Sequence, residues 1–133
     1  LDLYNQPANE FVAGFLGTPR INLIPRPESN TSPSHRALWE ALVPVDGSGI
    51  HCAGLRAEHM GLGSAAAGIP ATVVLAEHLG DASVLHLRIE GLEELLRAKT
   101  GAAHSHIGAG QTVALKPDAA WALRFDANGQ RVD

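Results

Sequence analysis

The sequence is poor in the features that would commit it to most chemistries. Cysteine occurs once, at Cys52, so no intramolecular disulfide can form, which suits a reducing compartment. No apolar run approaches the ~20 residues that cross a bilayer as a helix. The first residues lack a charged stretch followed by an apolar one, so neither a membrane span nor an export signal is expected. The 10 Lys and Arg form no cluster and are outnumbered by 14 Asp and Glu, a formal charge of -4 that argues against a nucleic-acid partner. What remains is ordinary for a packed chain. Hydrophobic residues make up 45% and charged residues 18% of 133 residues, enough for one modest core. The chain opens on Leu1-Asp2-Leu3-Tyr4 without Met, which reads as the middle of a longer protein.

Phe11, Val12, Phe15 and Leu16 form an i, i+1, i+4, i+5 stripe after Pro7, the pattern of a short N-terminal helix stopped by Gly17-Thr18-Pro19. Ile21 to Ile24 then reads as a strand, and Arg26 to Arg36, rich in Pro and Ser, as an exposed loop. From Ala37 onward short apolar runs are broken by Gly, Pro and Asp. Strands are expected at Ala37 to Val45, Ile50 to Arg56, Ala71 to Leu79, Val84 to Glu90, Thr112 to Lys116 and Trp121 to Phe125. Leu92 to Lys99 has helical composition, but its glycine borders and strand-rich surroundings favour a strand. Asp126-Ala127-Asn128-Gly129 marks a closing hairpin turn. Short strands at this spacing without long helices imply an all-β fold, a small barrel or sandwich.

The chemistry-bearing residues are scattered. Gly61 to Gly68 is glycine-rich, but Ile69-Pro70 follows where a phosphate-binding loop needs Lys and Ser or Thr, so a loop joining strands is expected. His104 and His106 share a face if extended but lack neighbouring ligands, so no metal site is expected. Ser34-His35 lies in a loop without a nucleophile elbow. Cys52 and His51 would point to opposite faces of a strand, leaving Cys52 as core. Glu93-Glu94 reads as surface charge. No catalytic residue is expected. Arg56 and Glu58, two apart on an expected strand, would face one side and tie the fold together; Glu77 is expected as a turn or ladder partner.

One long pattern carries more. Leu3-Tyr4, Pro7, Asn9, Phe11-Val12-Ala13, Phe15-Leu16-Gly17, Pro19 and Asn22 keep fixed spacing over about twenty residues. This closely resembles the segment joining the ATPase domain to the accessory domain in ABC importer ATPases of the maltose and glycerol-3-phosphate type. Gly54-Leu55-Arg56-Ala57-Glu58-His59-Met60 resembles a motif of that accessory domain, called TOBE and related to the OB fold, with Ala57 where the family usually has Pro. Val74 to Asp81 and Leu123 to Val132 are similar to two further segments of it, whereas Arg26 to Ile50 matches none.

The resemblance implies that residues 1–19 are the remnant of an ATPase domain and residues 20–133 an OB-like accessory domain. It implies a regulatory and dimerising role without catalysis, cytoplasmic at the inner face of the bacterial membrane. Partners would be a second copy, the ATPase domain and the membrane subunits, with Phe11, Val12, Phe15 and Leu16 available as an interface. ATP and Mg would belong to the ATPase domain, with no cofactor in this piece. The alternative is sensing of an oxyanion or sugar phosphate, with Arg56, His59 or His86 as anion donors.

Overall fold

The computed structural model describes residues 9, 19–29, 31–44, 46–63 and 68–132. The expected helix with Phe11, Val12, Phe15 and Leu16 lies outside them. The elements in chain order are β1 (Asn22–Pro25), α1 (Pro33–Leu42), β2 (Cys52–Leu55), β3 (Met60–Gly63), β4 (Ile69–Leu79), β5 (Ala82–Arg88), β6 (Leu96–Gly101), β7 (Thr112–Pro117), β8 (Leu123–Phe125) and β9 (Arg131–Val132). Single 3-10 turns cover Ala57–His59, Ala102–His104 and Ala119–Trp121.

The strands form two antiparallel sheets, ordered β1-β2-β8-β9 and β3-β7-β4-β5-β6, in a sandwich-like arrangement and not a closed barrel. Alternation explains the large sheet: Ala71 and Val73 on β4, Leu85 and Leu87 on β5, and Leu96 and Ala98 on β6 are buried. They join Ile24, Leu55, Met60 and Leu115 in the main core. Ile21, Cys52, Leu123 and Phe125 form a second cluster, which places Cys52 in the core as expected. Asn22, 2% exposed, spans the seam between edge strands β1 and β6. Its Nδ2 donates to the Arg97 carbonyl at 2.8 Å, and its Oδ1 accepts from the Arg97 amide at 2.7 Å.

Three expectations need correction. Ala37 to Val45 is not a strand: residues 33–42 form α1, because Ser32 accepts from the His35 amide as N-cap, Pro33 follows it, and Leu38, Trp39 and Leu42 make a buried helical stripe. The Arg26 to Arg36 loop is correspondingly shorter. Gly61 to Gly63 belongs to β3, paired with Ala114–Lys116 of β7, so that part of the glycine-rich stretch is strand. Strand β6 starts at Leu96, and residues 92–95 form the bend leading into it.

Helix α1 is pinned at both ends. The Ser32 hydroxyl also donates to the Glu90 carbonyl, His35 Nε2 donates to the Pro25 carbonyl at 2.8 Å, and Arg124 Nε donates to the Leu42 carbonyl at 3.0 Å. Gly91 beside Ser32 has φ +95°, and a Cβ there would collide with the Ser32 hydroxyl. Arg26 completes the anchor, donating from Nε to the Ile50 carbonyl at 2.7 Å and lying 5.0 Å over the Trp39 ring.

Candidate functional site

The polar residues singled out in the sequence fall into two places. The first is the exit of β2. Arg56 is 5% exposed and precedes the 3-10 turn that carries Glu58 and His59. Arg56 and Glu58 do not share a strand as expected, because β2 ends at Leu55 and Glu58 lies exposed in the 3-10 turn that follows. His59 stacks on Trp121, with ring centroids 4.4 Å apart and planes 1° from parallel. Its carbonyl accepts from the Asp118 amide, so the turn after β7 is fixed to the turn after β2.

The second place is the β4–β5 hairpin. Glu77 sits opposite Val84, and its carboxylate reaches diagonally to His86 Nε2 at 2.6 Å. Glu77 thus meets a β5 side chain across the hairpin. His78 Nδ1 meets the Ser83 hydroxyl at 2.8 Å across the same hairpin.

Among the described residues, concavities lie elsewhere. A cleft of about 700 Å³ runs between β1, the start of α1 and residues 91–97, with Arg20, Arg97, Glu28, Glu93 and Glu94 among its charged lining. Neither Arg56, His59 nor His86 lines it. A smaller one of about 280 Å³ is bordered by His104, His106 and Gln111. Among the described residues no three His, Cys, Asp or Glu gather as a metal site. No helix among them is long and apolar enough to cross a membrane.

In the sequence Asn22 stands only as the end of the long pattern, which does not show its structural role: its side chain replaces a strand's hydrogen bonds across the seam. Its partners are the backbone of a residue 75 positions away, which no local spacing marks.

These features define the class first: an all-β domain of two sheets whose polar groups mostly brace the fold. The chain belongs to the TOBE domain family, which matches residues 53–125. It is 34% identical over 142 residues to an uncharacterized ABC transporter ATP-binding protein of Sinorhizobium fredii, covering 99% of this chain and 36% of that protein. It is 31% identical over 110 residues to the maltose/maltodextrin import ATP-binding protein of Yersinia pestis bv. Antiqua, covering 72% and 29%. With the sn-glycerol-3-phosphate import ATP-binding protein of Chromohalobacter salexigens it shares 32% over 137 residues, covering 98% and 36%. The chain thus spans about a third of the length of the curated relatives it matches.

Proposed function

We propose that this chain is the C-terminal accessory module of the ATP-binding subunit of an ABC importer for sugars or glycerol 3-phosphate, acting in regulation and dimerisation and not in catalysis. The observation that carries the reading is the TOBE match over residues 53–125, together with the similarity to import ATP-binding proteins. On this reading residues 1–19 are the tail of an ATPase domain and residues 20–133 the accessory domain. ATP and Mg²⁺ are bound by that ATPase domain, outside this chain. The subunit pairs with its twin and works with membrane subunits on the cytoplasmic side.

A chimera tests this. Replacing the matching 40% of the Rhizobium radiobacter lactose transport ATP-binding protein with this chain should preserve lactose uptake. A chimera that folds and reaches the membrane, yet neither transports nor hydrolyses ATP, overturns the proposal.

A second reading, sensing of an oxyanion or sugar phosphate, draws support from the 700 Å³ cleft, where Arg20 and Arg97 supply cations among the lining. It moves the ligand away from Arg56, His59 and His86. Phosphate, sulfate and glycerol 3-phosphate should then each raise the melting temperature saturably by mass action. Loss of that shift in Arg97→Ala would assign the ligand to the cleft; no shift in the unaltered chain removes this reading.

A further inference from the structure

Strand β4 is longer than its neighbour on one side. Residues 69–72 pair with β7 and Val73 exchanges bonds with Gly110 and Gln111, but beyond Val73 no described strand runs along that side. A bulge at Val74 marks the change, and β4 continues to Leu79 paired only with β5. The hairpin closes on a two-residue turn, Gly80-Asp81, with Gly80 at φ +75° in the first central position. Leu79 and Ala82, which flank this turn, form the hydrogen-bonded pair that closes it. Antiparallel alternation then directs Leu79, Glu77 and Leu75 at β5 and turns the backbone N–H and C=O of His78 and Ala76 away from it. Among the described residues no strand pairs with those four groups, which form a strand edge.

The side chains beside the edge are also unusual. Leu75 and Leu79 are 51% and 58% exposed, and Val74 is 41% exposed. Leu75, Glu77 and Leu79 lie on one face, so a half-exposed carboxylate, with one oxygen on His86 of β5, sits between two exposed leucines. Edges this apolar normally carry a guard such as Lys or Pro, and residues 74–79 have neither.

We propose that the Val74–Leu79 edge accepts an extended segment of a partner protein by strand addition, and that the segment carries a cation flanked two residues away on each side by apolar residues. Backbone groups of Ala76 and His78 supply the hydrogen bonds. The cation meets Glu77, and the flanking apolar side chains cover Leu75 and Leu79. The pattern reads the same in both directions, so it suits either strand orientation. A second copy of this chain is a poor occupant. None of its ten Lys and Arg has apolar residues at both i-2 and i+2. Self-pairing centred on Glu77 would set two carboxylates opposite each other. This inference is independent of the importer reading, since it rests on the edge alone.

The probe is a labelled peptide, Thr-Val-Thr-Lys-Thr-Val-Thr, titrated into the chain by fluorescence anisotropy while amide exchange is followed by NMR. Saturable binding below ~1 mM is expected, the weak end of specific recognition, with new protection at the Ala76 and His78 amides. Replacing the peptide's Lys by Glu should weaken binding about fivefold, a cross-strand charge effect. Glu77→Lys, with an unchanged amide spectrum elsewhere, should restore the Glu peptide and reject the Lys peptide. N-methylation of the peptide's edge-facing amides should abolish binding. No binding up to ~1 mM, binding without protection at residues 76 and 78, or indifference to the charge swap overturns the proposal. Protection of those two amides in the peptide-free chain, together with a doubled mass, also overturns it, because a second copy would then hold the edge.

Discussion

Asn22 shows how one side chain can join two sheets. Its amide supplies both a donor and an acceptor to Arg97, and it is buried, so losing it leaves two backbone groups without their partner. Asn22→Ala should cost about 2–3 kcal/mol by the penalty for unsatisfied buried groups, a clear drop in melting temperature by calorimetry. Asn22→Asp retains the acceptor but loses the donor and buries a charge, and should be at least as damaging; a variant as stable as the parent would show that the seam is held by other contacts. Glu77 gives the contrasting case. It is half exposed, and its bond to His86 crosses a hairpin at the surface, so Glu77→Gln should change stability by under ~1 kcal/mol. The Glu77–His86 contact joins residues only nine positions apart across a tight turn, a local relation. The setting of Arg56 and Glu58 was not legible, because the expected strand ends at Leu55, where the backbone tightens into a 3-10 turn.

Helix α1 carries the same lesson at the scale of an element. Its start was written in Ser32 and Pro33 and its buried stripe in Leu38, Trp39 and Leu42, yet the Pro and Ser content of residues 26–36 resembled a linker and the apolar run after Ala37 resembled another strand. The strands themselves were legible because alternation and turn residues are local signals. Where the segments dock was not, since those contacts join residues far apart in sequence. Leu38 is fully buried, so Leu38→Ala should lower stability by about 2–5 kcal/mol, measured by denaturant unfolding. A loss below ~1 kcal/mol would mean that α1 is not part of the core. The N-terminal end of α1 offers a coupled test. Gly91→Ala sets a methyl against the Ser32 hydroxyl and strains a left-handed backbone, whereas Ser32→Ala removes the cap and the bond to Glu90. The double variant should lose less than the sum of the two single variants, because the second change removes the collision. Strict additivity would place Ser32 and Gly91 apart in solution.

At the scale of the whole molecule, the question is what covers its apolar surface. The stripe of Phe11, Val12, Phe15 and Leu16, read from the sequence alone, is one candidate surface, and it lies outside the described residues. The other is within them: Trp121 is 53% exposed with one ring face against His59, and a half-exposed indole on a fixed platform is the kind of residue that anchors interfaces. Identical chains that bury such surfaces most often do so with two-fold symmetry, so the chain should be a dimer in solution. The two routes separate by mutation. Phe11→Ser with Phe15→Ser should yield a monomer if the stripe mediates pairing and leave the mass unchanged if the sandwich does. Trp121→Ala should give the opposite pair of results, with melting temperature confirming that each variant folds. The β4 edge plays no part in this contact, so amide exchange at Ala76 and His78 should stay fast in the dimer. Light scattering that reports a monomer for the unaltered chain at ~100 micromolar, well above the Kd of a typical specific interface, would overturn the prediction and leave the apolar surfaces to other partners.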